Sequence, residues 1–61
     1  MLDWAIDTEN RMKKNGIRWK DVAKHIGWTV QYTSNVVNGA YTPKQAQEKI
    51  TKAVNELIQE R

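Results

Sequence analysis

A compact all-α domain of four helices is the fold class this sequence predicts, and three features predict it. Gly16, Gly27 and Gly39 cut the chain into segments of helical length, and Pro43 marks a fourth start. Phe is absent, and no run alternates apolar with polar residues as a half-buried strand would. Apolar residues recur instead at helical spacing, most clearly at Ala46, Ile50, Ala53, Val54, Leu57 and Ile58.

The first helix is expected from about Leu2 to Asn15. Acidic residues near its start and Arg11, Lys13 and Lys14 near its end complement the helix dipole. Gly16 suits the position after the helix end, where a left-handed backbone is needed. Ala5, Thr8 or Glu9, and Met12 form its core stripe, with Leu2 and Ile6 nearby. A second helix is expected over Trp19–Ile26, with Val22, Ala23 and Ile26 on one face and Gly27 as its stop. Thr29 is a good N-cap for a third helix over Val30–Val37, closed by the turn signal Asn38-Gly39. Thr42 is then expected to cap a fourth helix with Pro43 at its first position, where the missing N–H is harmless, running to about Gln59.

A chain of 61 residues is one domain at most, 1–61, and buries too little surface to be stable without compact packing. With no Cys there is neither a disulfide nor a thiolate metal site, and the lone His25 cannot hold zinc by itself. No cofactor is expected. No apolar run approaches membrane-spanning length and no signal-peptide pattern opens the chain, so the expectation is a cytoplasmic protein without a membrane partner.

The net charge of +3 is unevenly distributed. Residues 1–9 carry Asp3, Asp7 and Glu9 and no Lys or Arg, whereas Arg11 to Lys52 carry nine Lys/Arg against Asp21 and Glu48. A basic middle of this kind suits a phosphate backbone, and it equally suits a plain solvated surface.

The spacing of the second and third helices carries more information. Counting Trp19 as the first position, Val22 and Ala23 are fourth and fifth, and Gly27 is ninth. Thr33 and Val36 are fifteenth and eighteenth. Ala23 is small where the two helices would cross closely, Gly27 permits the positive φ of a sharp turn, and Val22, Ile26, Thr33 and Val36 fill the angle between them. That is the requirement of a helix-turn-helix, whose outward third-helix residues are free to enter a major groove.

The 24 residues Gly16 through Gly39, GIRWKDVAKHIGWTVQYTSNVVNG, extend the match. The stretch resembles the phage lambda-repressor/Cro-like, or XRE, family of helix-turn-helix domains, whose members look like G-I-x-x-x-x-[LV]-A-x-x-[LI]-G-x-[ST]-x-x-x-[IV]-S-x-x-x-N-G. The first and last helices fit that family by layout. Thr33 departs from the usual Ile or Val, and Trp28 replaces a smaller residue at the turn, where it either packs broadly or is partly exposed. The family often has a fifth helix, which this chain is too short to contain.

The resemblance implies double-stranded DNA as the partner, read by the N-terminal part of the third helix. Carried onto this sequence, the base-reading residues are Val30, Gln31 and Asn35. Either amide can pair with adenine, and Val30 can meet a thymine methyl. Backbone or flanking contacts fall to Arg18, Trp19, Lys20, Thr29, Tyr32, Ser34, Asn38, Tyr41 and Lys44, with Lys13, Lys14 and Lys24 adding to the field. Trp19 stands where the family often has Gln, so its indole N–H would have to replace an amide; the other reading is burial against the first helix. Tyr32 either reaches the DNA or packs on the fourth helix. Trp4 fits a core or an interface equally.

Such proteins bind as symmetric dimers, with Ala40, Tyr41, Leu57 and Ile58 as candidate contacts here. The function this implies is a transcriptional regulator of the Cro/repressor type, of phage or mobile-element character, acting by operator occupancy. The alternative is a protein-binding modulator or antirepressor that uses the same fold to grip another regulator. No Cys nucleophile, His-centred triad or phosphate-binding Gly loop points to an enzyme or to a small-molecule substrate, and His25 with Asp21 reads as a surface contact one helical turn apart.

Overall fold

The computed structural model describes residues 1–60 and contains four helices: α1 (Asp3–Lys14), α2 (Trp19–Ile26), α3 (Val30–Val37) and α4 (Ala46–Gln59). No strand is present among the described residues, and no helix is long and apolar enough to cross a membrane.

Each break between the first three helices has a local cause. At the end of α1, Gly16 takes φ 68°, the Gly16 N–H donates to the Lys13 carbonyl, and the Ile17 N–H donates to the Met12 carbonyl. This is the paired hydrogen-bond pattern that closes a helix end, and the apolar residue just beyond it, Ile17, is buried in the core. The end of α3 repeats it: Gly39 takes φ 85°, and the N–H groups of Gly39 and Ala40 donate to the carbonyls of Val36 and Asn35. Thr29 caps α3 as expected, its Oγ1 accepting from the Tyr32 N–H at 3.0 Å. At the start of α2 the Asp21 carboxylate accepts the Arg18 N–H at 3.0 Å.

The fourth helix begins later than the sequence predicts. Thr42 and Pro43 lie outside it, and the regular helix starts at Ala46. The Ala46 N–H donates to the Pro43 carbonyl, and Gln45 sits in the left-handed region at φ 62°, ψ 21°, a conformation no continuous right-handed helix passes through. The turn leaves Pro43 half-buried in a shallow cleft shared with Leu2, Trp4 and Val36, and brings Ala46 into the core.

In the tertiary arrangement α4 packs on both α1 and α2, and α3 packs on α2. Its inward face, Ile50, Ala53 and Val54, is buried, and Leu57 and Ile58 lie partly buried against the same core. Ala5, Thr8 and Met12 are the buried face of α1, whereas Leu2 and Ile6 are exposed. The two buried hydroxyls are satisfied inside their own helices: Thr8 donates to the Trp4 carbonyl at 2.8 Å and Thr33 to the Thr29 carbonyl at 3.0 Å. Thr33 therefore fills a site that suits a β-branched aliphatic side chain without leaving a polar atom unpaired.

Two polar links join α4 to its neighbours. The Arg11 guanidinium donates to Asn55 Oδ1, connecting α1 to α4. His25 Nε2 lies 3.0 Å from Glu56 Oε1, connecting α2 to α4. The expected His25–Asp21 contact is thus replaced, because Asp21 turns back to Arg18 while His25 reaches across to α4.

Candidate nucleic-acid interface

Helix α3 buries Thr33, Val36 and Val37, and the opposite face follows from the 3.6-residue period. Gln31, Ser34, Asn35 and Asn38 share that outward side. All are neutral and polar. Two pairs one turn apart organise them. Gln31 Nε2 donates to Asn35 Oδ1 at 3.2 Å, and Asn38 Nδ2 donates to the Ser34 carbonyl at 2.8 Å. Gln31, Ser34 and Asn38 are exposed and Asn35 is half-buried. Val30 flanks the row and is 55% exposed, unusually open for a valine at the start of a helix that packs elsewhere.

An aromatic row lies along the opposite flank of α3. The Trp28 ring meets Tyr32 edge-on with centroids 5.0 Å apart, and Tyr32 stacks on Tyr41 at 5.5 Å. Trp28 and Tyr32 are half-buried and packed against the core, while Tyr41 stays half open to solvent. The backbone holds Tyr41 there, since the N–H groups of Ala40 and Tyr41 both donate to the Asn35 carbonyl.

The start of α2 supplies the second group of candidates. Arg18 and Lys20 are exposed, as is Lys44 in the loop before α4. Trp19 behaves differently. Its indole is half-buried against the core, and its N–H donates to Glu9 Oε2 at 2.7 Å, so the burial reading describes this side chain. Lys13 Nζ lies 3.5 Å from the other oxygen of Glu9. The indole hydrogen bond, with a smaller contribution from Lys13, holds the Glu9 carboxyl below its usual range, against the opposing effect of burial. The sequence places Glu9 only as a candidate core residue. The signal that finds its role is the need of a partly buried indole N–H for an acceptor.

Of the candidate dimer contacts, Ala40 and Tyr41 are exposed, and Leu57 and Ile58 are half-buried on the domain's own core. Trp4 is half-buried and packs on the core as well. Among the described residues, no three His, Cys, Asp or Glu side chains converge as a metal site. No family model matches this chain, nor does any curated protein or solved structure.

Proposed function

We propose that this chain is a sequence-specific DNA-binding regulator of the Cro/repressor type, from a phage or other mobile element, that acts by occupying an operator in the cytoplasm. The observation that carries the reading is the outward face of α3, where the Gln31 and Asn35 amides stand beside exposed Val30 on the second helix of a helix-turn-helix. Amides at that place pair with base edges, and a valine supplies apolar contact to a thymine methyl. Arg18, Lys20 and Lys44 are exposed to hold phosphates on either side, with hydroxyl or amide support from Thr29, Ser34 and Asn38. Two copies related by a two-fold axis would place their α3 helices in successive major grooves about one helical turn apart.

A second reading rests on its own observation. Helix α3, VQYTSNVV, contains no charged residue; its first residue, Val30, is exposed, as is Tyr41 beside it. Such a surface also suits a protein partner, making the chain a modulator or antirepressor of another regulator.

Salt dependence separates the two, because phosphate neutralisation makes DNA affinity fall steeply as salt rises. Titration against random and genomic duplexes at low and moderate salt is the direct measurement. Binding that weakens steeply with salt, together with loss of sequence preference in Gln31→Ala, supports the DNA reading. No duplex binding at low salt would overturn it in favour of a protein partner.

A further inference from the structure

Resting on the DNA-binding reading, we infer that Gln31 and Asn35 read the duplex as one coupled unit, which takes adenine beneath Gln31 and excludes cytosine beneath Asn35. The inference comes from counting what their mutual hydrogen bond leaves free. An amide side chain has one oxygen acceptor and two N–H donors. The 3.2 Å bond uses one N–H of Gln31 and part of the acceptor capacity of Asn35 Oδ1.

Gln31 keeps its carbonyl oxygen and a second N–H. That acceptor and donor, side by side, complement the N6 amino group and N7 of adenine. Asn35 keeps both N–H donors, and with its oxygen turned toward Gln31 it is the amino group that it offers to the groove. It therefore seeks a major-groove acceptor, which guanine, thymine and adenine each present. Cytosine presents there only the N4 amino donor, so a donor would face a donor. Side chains four residues apart on a helix are about 5–6 Å apart at Cβ, and base pairs are stacked every ~3.4 Å. The two readers thus fall on base pairs one or two steps apart.

Coupling follows from the same bond. Asn35 holds the Gln31 amide in the orientation that adenine needs, so less side-chain freedom is lost on binding. Removing Asn35 loosens a base contact that Asn35 does not itself make. Independent readers would show no such cross-effect.

The test is selection of bound sequences from a random duplex pool at low salt, using wild type, Gln31→Ala, Asn35→Ala, the double variant and Asn35→Asp. Gln31 is exposed and Asn35 half-buried, so circular dichroism is used to check that each variant is folded. Gln31→Ala is expected to lower the adenine preference roughly tenfold, the scale of one bidentate base contact. Asn35→Ala is expected to abolish the exclusion of cytosine and also to weaken the adenine preference several-fold. The double variant is then no worse at the adenine position than Gln31→Ala alone.

Asn35→Asp is the most discriminating arm. Its carboxylate still accepts the Gln31 N–H but has no donor, so adenine is retained while the neighbouring position switches to cytosine, whose amino group it can accept. Should Asn35→Ala leave the adenine preference intact, or Asn35→Asp fail to favour cytosine, coupled readout is wrong while DNA binding stands. Absence of any duplex binding by the wild type at low salt overturns both.

Discussion

The indole N–H of Trp19 donates to Glu9 Oε2 at 2.7 Å, tying the first residue of α2 to the middle of α1. The α2 end of the domain is tied to α1 through this bond. Glu9→Ala leaves a half-buried donor without its acceptor and is expected to destabilise the fold by about 1 kcal/mol. In a domain of this size that lowers the melting temperature by roughly 4–8 °C.

The same bond sets a pH dependence. The folded-state pKa of Glu9 is held below its ordinary value, chiefly by the Trp19 hydrogen bond. A carboxylate with a depressed folded pKa contributes stability that is present above its unfolded value and is lost as pH falls through the folded value. The gap in melting temperature between wild type and Glu9→Ala is therefore expected to be full at neutral pH and to shrink below about pH 4. Thermal denaturation of both proteins across that range checks it, and a gap that widens on acidification would contradict the assigned bond.

Backbone conformation gives a pair of opposite expectations. Gly27 has φ 93° with no atom within 4 Å of where a Cβ would sit, so Gly27→Ala meets strain and no clash. The expected loss is about 1 kcal/mol. Among the described residues, Gln45, at φ 62°, is the non-glycine residue in the left-handed region. Gln45→Gly relieves that strain while making the unfolded chain freer, for an expected net gain of about 0.5 kcal/mol. Urea denaturation of the two variants reads both signs.

Ile50 is fully buried on α4, the helix that packs on both α1 and α2. Ile50→Ala removes the central apolar group of that packing, which typically costs about 2–5 kcal/mol. A single core of this size rarely supplies more than about 3–5 kcal/mol in all. The variant is expected to be largely unfolded at room temperature by circular dichroism.

The parts legible in the sequence are those governed by local rules. α2 and α3 fall on Trp19–Ile26 and Val30–Val37 as expected, because glycine in the left-handed region and a threonine cap fix their ends within a few residues. The outward side of α3 follows from periodicity alone. What stayed hidden depends on residues distant in the chain. Thr42-Pro43 carries a valid start signal, yet Gln45 takes a left-handed backbone and the helix starts at Ala46, which is buried in the core. Glu9 with Trp19, Arg11 with Asn55 and His25 with Glu56 pair across helices, and no spacing rule within one helix finds them.

The engagement of Trp19 also distinguishes two residues that are neighbours in sequence. Lys20 is exposed at the start of α2, whereas the Trp19 donor is already committed to Glu9. If this end of α2 meets a phosphate, Lys20 carries the charge together with Arg18. Lys20→Ala is expected to weaken DNA binding about equally across sequences and to reduce the slope of log affinity against log salt by about 1. Trp19→Phe keeps the ring's packing and removes only the N–H, so it is expected to lower stability while leaving the salt slope and the sequence preference unchanged. Titrations at several salt concentrations, run beside thermal melts, measure both. A loss of DNA affinity in Trp19→Phe with unchanged stability would mean that the indole leaves Glu9 for the phosphate on binding.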